Sequence, residues 1–218
     1  MALAIDSDSG VFWTSNESQA SVTWSHTCSG DNRGIFVGCA VAGDVGKVTG
    51  VTYNGTALTC LWDVARSLLN TSGWFLVNPA SGAHDVVVTF ATNTAGWNDQ
   101  GVFALSFTGV DQSTPLNTPG TANNYSTTPS VTVSTAAGEI IVDTVMAGNA
   151  LTEGPNQTEY LTSNKAVGFS SQSGADGGEM SWSQTAQNWV IGAVSIKPAA
   201  TSGLSIPVVQ SIYRRRRI

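Results

Sequence analysis

The sequence predicts an all-β fold, an antiparallel two-sheet β-sandwich of jelly-roll-like form with a short C-terminal appendage. Three observations lead there. Only 11% of the 218 residues are charged, against about 25% in ordinary globular chains. Gly, Ser, Thr and Asn stand where Lys and Glu would, which lowers helix propensity and favours strands and tight turns. Apolar residues recur with period two or in short continuous runs, and turn dipeptides punctuate them at close intervals.

Taken in order, the opening "MALAIDSDSG" has neither a basic n-region nor a long apolar run, so no secretory signal is expected; residues 1–14 are a candidate arm. "SVTWSHTC" (21–28) alternates, with Val22, Trp24, His26 and Cys28 on the inward face of a half-buried strand. "SGDNRG" is turn chemistry, and "IFVGCAVA" (35–42) suits a central strand. "VTGVTYNGTALTCLW" (48–62) carries Asn54-Gly55, which supplies the two positive-φ positions of a type I′ hairpin turn. "DVARSLL" (63–69) is a two-turn helix or a loop. "GWFLVNPASGAHDVVVTFAT" (73–92) reads as a hairpin, "GVFALSFTGV" (101–110) as a strand, and 111–130 as a long polar loop and exposed contact surface. "VTVSTAAGEIIVDTVMA" (131–147) is expected to be a hairpin around Ala136-Ala137-Gly138. "TEYLTS" and "AVGFSSQ" form a weaker pair, and 178–199 closes the body with two strands.

About ten antiparallel strands exceed what one flat sheet accommodates in so small a body, so they must stack or close. No repeat of 20–50 residues is visible. The sandwich domain spans 1–199, and 200–218 is a linker followed by an apolar, Arg-rich anchor. No apolar run approaches the ~20 residues of a membrane-spanning helix, and no membrane association is expected.

Several segments follow one another in a characteristic order: "VTWSHTCSGDNRGIFVG", "VTGVTYNGTALT", "WFLVNPASGAHDVVVTF", "SFTGVDQSTPL", "VTVSTAAGEIIVDTV" and "MSWSQTAQNWVIGAVSIKP". Together they resemble a β-sandwich module of tailed-phage virion proteins, of head-decoration or fibre type, that also occurs in bacterial surface proteins. The resemblance covers roughly residues 15–199. It implies a virion structural protein made in the host cytoplasm, with other capsid or tail subunits as partners. A homo-oligomer is expected, a trimer being the first candidate. It implies no catalytic residues and no cofactor.

The residues agree with a non-enzyme. The two histidines differ in setting: His26 is expected to be an inward, hydrogen-bonded core or edge imidazole, whereas His84 follows Ser-Gly-Ala as a solvated turn residue. No nucleophile elbow, P-loop or zinc motif occurs. Asp6, Asp8, Asp31 and Asp44 match no calcium-loop spacing, so no metal is expected. Cys28, Cys39 and Cys60 read as small buried hydrophobes. Among the seven tryptophans, Trp24, Trp62, Trp74, Trp182 and Trp189 lie in strand patterns and belong to the core. Trp13 and Trp97 are the candidates for exposure and for stacking on a glycan, the alternative function being a glycan-binding host-attachment module.

Charge is distributed unevenly. Nine basic residues face fifteen acidic ones for a net charge of −6, and four of the nine are Arg214, Arg215, Arg216 and Arg217. Without those four the body carries −10, which repels nucleic acid and anionic membrane. Ile206, Val208, Val209, Ile212 and Tyr213 precede the arginines, and Pro207 bars a central strand position. An apolar lead-in with guanidinium forks suits docking on an acidic protein surface.

Overall fold

A computed structural model of the chain describes residues 2–13, 19–44, 46–91, 100–160 and 166–200. The fold is an all-β sandwich of antiparallel sheets, and among the described residues the only helical element is a three-residue 3-10 turn at Gly174–Asp176. The first nine strands are β1 (Ala4–Trp13), β2 (Ser21–Cys28), β3 (Gly34–Ala42), β4 (Val48–Tyr53), β5 (Thr56–Ala57), β6 (Thr59–Arg66), β7 (Leu69–Val77), β8 (Gly82–Phe90) and β9 (Gln100–Thr108). Eight more follow: β10 (Gly120–Ser126), β11 (Ser130–Thr132), β12 (Ile140–Ala147), β13 (Thr152–Glu153), β14 (Thr158–Glu159), β15 (Val167–Ser173), β16 (Glu179–Ser183) and β17 (Gln187–Ile196).

Four sheets result. A sheet ordered β1-β9-β3-β7-β6 packs on one ordered β2-β8-β4-β5; a sheet ordered β10-β17-β12-β15-β14 packs on one ordered β11-β16-β13. The second pair repeats the topology of the first strand for strand, in chain order, with only β5 lacking a counterpart. The two five-stranded sheets then pack against each other and share a core of Phe36, Phe103, Phe107, Val142, Phe169, Val194 and their neighbours. Four layers therefore stack with three apolar seams between them.

This stacking explains the continuous apolar run of β3. Ile35, Val37, Cys39 and Val41 face the small first sheet, while Phe36 and Ala40 face the other large sheet. Both faces are covered, so no polar alternation is needed. In β12 Ile141 and Val145 point to one seam and Val142 and Met146 to the other.

Across the central seam the strand orders run in opposite senses. β6 lies over β10 and β17, β7 over β17 and β12, β3 over β12 and β15, and β9 over β15. The halves are thus related by an approximate two-fold axis near β3 and β12. Register makes Gly38, flanked by Gly73 and Phe103, equivalent to Thr144, flanked by Phe169 and Gly192. A Cβ on Gly38 would collide with Thr144 Oγ1, so the axis passes where the sheets approach most closely. On one side Trp62 fills the space above both Gly73 and Gly192. On the other Phe103 stacks on Phe169 (ring centroids 5.5 Å apart) and on Tyr160 (5.4 Å). The glycines on one side and the phenylalanines on the other make the contact asymmetric.

Several local expectations change. Asp63–Arg66 is strand rather than helix; Ser67 and Leu68 adopt φ of 50° and 66° and turn the chain directly into β7. Residues 73–92 and 131–147 are not hairpins. β7 and β8 lie in different sheets, as do β11 and β12, because each connection crosses the sandwich to cover the opposite face. Within the polar 111–130 segment, residues 120–126 form β10, an edge strand on β17. The Asn54-Gly55 turn is as expected: φ is 48° and 75°, and Tyr53 pairs with Thr56. Residues 4–13 are no free arm but pair with β9 from Ala4 to Trp13, with one bulge at Asp6.

The central seam yields a direct expectation. Gly192→Ala and Gly38→Ala should each lower unfolding free energy by about 1–3 kcal/mol, the usual cost of overpacking. Gly50→Ala, with open space around it, should stay within about 0.5 kcal/mol. Urea midpoints of the three variants check this.

Candidate functional site

The residues expected to form the anchor, Ile206, Val208, Val209, Ile212, Tyr213 and Arg214 to Arg217, lie outside the described residues, as does Trp97. Trp13 is inside them and overturns its expectation. It is 4% exposed, packs in the first seam and meets Phe90 at 6.0 Å. Alternation along β1 sends Val11 and Trp13 toward that seam, whereas Phe12 faces the central one. Trp13 is therefore a core residue and not a glycan contact. Trp62, Trp74, Trp182 and Trp189 are buried and Trp24 is half-buried, as strand position implied.

One polar cluster lies between β1 and β2. His26, 2% exposed, places Nδ1 2.7 Å from Ser9 Oγ, and Trp24 Nε1 donates to the same oxygen at 2.9 Å. Burial lowers the His26 pKa to about 4, against the opposing pull of Asp6 and Asp8. The imidazole is neutral at pH 7, and its Nε2 is buried without a partner among the described residues. A Ser–His contact of this kind ties two strands together. Asp6 accepts from Ser29 N at 2.7 Å, Ser29 Oγ at 2.5 Å and Ser106 Oγ at 3.0 Å. Partial burial pushes its carboxyl up, but these bonds outweigh it and leave the pKa below the ordinary value. His84 is not a turn residue; it belongs to β8 and sets its ring edge-on to Tyr53 at 5.6 Å. Cys28 and Cys39 are buried free thiols, whereas Cys60 is exposed.

A second cluster is fully enclosed. Asp143 Oδ1 accepts from Ser170 N (2.9 Å) and Ser170 Oγ (2.7 Å), and Oδ2 accepts from Trp182 Nε1 (2.7 Å). Burial nevertheless dominates and raises its pKa to about 7. Glu159 is also raised to about 7, by desolvation, by the charge of Glu153 and its hydrogen bond, and by Asp143. No group of three or more His, Cys, Asp or Glu among the described residues could hold a metal ion.

A partly exposed constellation lies at a rim of the central seam. Arg66, at the end of β6, donates from Nε to Asn188 Oδ1 at 2.9 Å and from Nη1 to Asn123 Oδ1 at 3.4 Å. Tyr125, the register partner of Asn188, is 57% exposed beside them. Sequence reasoning marked 111–130 as an exposed contact surface but did not connect it to Arg66, because that contact spans the two halves. The visible signal was "TANNYS", a polar stretch with one aromatic.

No protein-family model, curated protein or solved structure matches the chain.

The neutral His26 gives a pH prediction. Its pKa is lower in the folded protein than in the unfolded chain, where about 6.5 is expected. Its contribution is therefore complete above about pH 6.5 and disappears as pH falls toward 4. Asp143 and Glu159 act oppositely, because a raised carboxyl pKa favours the folded state at low pH. Comparison with His26→Gln isolates the histidine. The stability advantage of wild type should shrink by about 2–3 kcal/mol between pH 7.5 and pH 4, read from urea unfolding at both. A pH-independent difference would contradict the assignment.

Proposed function

We propose that the protein is a non-enzymatic structural component of a phage virion, a capsid decoration or fibre protein held to a neighbouring subunit by residues 204–218. The observation that carries this is how the chain leaves the body. Ala199 N donates to Gly109 O at 2.7 Å, Pro198 bridges to Val110, and Asp111 N donates to Lys197 O at 2.9 Å. The chain is tied down as far as Ala199, beside Gly109 and Ala2, where β9 and β17 of the two large sheets end. Thr201-Ser202-Gly203 and then the apolar, four-arginine segment follow in the sequence.

Such a segment is chemically unlike the body that presents it. Its β-branched residues supply burial at roughly 25 cal/mol per Å², and its guanidinium groups complement carboxylates. Only 11% of the chain is charged, and Gly, Ser, Thr and Asn dominate its polar positions, which suits a component packed at high local density. The resemblance of residues 15–199 to phage virion modules points the same way. The glycan-attachment alternative no longer has Trp13 to rest on.

Deletion of 204–218 is the test. The truncated protein should keep the wild-type urea midpoint and be absent from purified particles. Incorporation at the wild-type level would overturn the proposal.

A further inference from the structure

We infer that Tyr125, Arg66, Asn123 and Asn188 form a binding site for a neutral pyranose saccharide. Tyr125 and Asn188 are cross-strand partners on β10 and β17, so their side chains share a face. Asn123, two residues before Tyr125 on β10, turns the same way. Its register partner Val190 is in the central core, which shows that this face borders the seam between the two large sheets. Arg66 arrives from the opposite sheet and closes the corner.

The hydrogen bonds determine what the corner offers. Arginine can only donate, so both asparagines must turn their oxygens toward it. Their Nδ2 groups are left as donors, and Arg66 Nη2 makes no hydrogen bond among the described residues. A flat aromatic face thus stands beside a fan of N–H donors, and no carboxylate takes part. Pyranose rings match this pairing, with an apolar C–H face for the ring and hydroxyl oxygens for the donors.

Scale and charge favour this ligand over others. Four residues cover one corner, enough for one or two sugar rings and far below the roughly 800 Å² per partner of a stable protein interface. A polyanion would meet a body carrying −10. Tyr125 is also the most exposed large apolar side chain among the described residues, so its ring is open to a ligand.

The site is tested on the full-length protein by amide chemical-shift titration with maltose, cellobiose, lactose, diacetylchitobiose and, as an acidic arm, glucuronate. At least one neutral disaccharide should shift amides of residues 123–126 and 187–189, with a Kd of about 1 mM. Tyr125→Ala should weaken binding more than about tenfold, whereas Tyr125→Phe, which keeps the ring, should stay within about threefold. Because Tyr125 is exposed, both variants should keep the wild-type spectrum elsewhere. No shift from any neutral disaccharide at about 20 mM would overturn the inference. So would binding unchanged by Tyr125→Ala, or a response to glucuronate alone. Particle incorporation plays no part in this readout, so the inference and the proposed virion role can fail separately.

Discussion

The structure depends on one close approach, that of Gly38 to Thr144, where the two large sheets meet. Each sheet is already one wall of its own sandwich, so both of its faces must be apolar and it must lie close to a second sheet. Glycine at 38 removes the Cβ that would hold the sheets apart. Trp62 over Gly73 and Gly192 then fills one side of the seam, and the Phe169–Phe103–Tyr160 stack fills the other. The two sides are filled by opposite means, one large indole over two glycines against three stacked rings. Such complementarity turns apolar burial into a single arrangement rather than several.

The same seam positions the exposed chemistry. Arg66 reaches Asn123 and Asn188 only because β6 of one half overlies β10 and β17 of the other. The corner around Tyr125 therefore belongs to neither half alone. The buried polar groups are kept where a strand pair must be fastened: Ser9 with His26 in the first half, Asp143 with Ser170 and Trp182 in the second. Ser106 and Ser195 occupy equivalent register positions on β9 and β17, and each donates to a carboxylate, Asp6 and Glu139 respectively. The duplication thus extends to polar detail.

Local periodicity made most strands legible. The alternation of "SVTWSHTC" placed Val22, His26 and Cys28 inward, and Asn54-Gly55 marked its hairpin. Partner choice was not legible, because a two-residue turn and a crossover both look like Gly, Pro and Ser between apolar runs. Hence Asn78-Pro79 and Ala137-Gly138 suggested hairpins where the chain changes sheet. The duplication leaves a faint trace, Ser21-Val22-Thr23-Trp24-Ser25 against Ser130-Val131-Thr132-Val133-Ser134, which falls outside the short periods of ordinary repeats. Trp13 was misplaced because it fell outside the recognised strand patterns, in the candidate arm 1–14, whereas an edge strand in a stacked sheet buries it. The Tyr125 corner was hidden for a different reason: its members come from residues 66, 123, 125 and 188, which only the seam between halves brings together.

If the central seam governs the fold, the two halves should unfold as one unit. Native-state hydrogen exchange measures this strand by strand. The amides of β3 and β12 should share a single, highest opening free energy, with β5 and β13 opening more easily. Two separate plateaus, one for residues 4–108 and another for 120–196, would contradict the account.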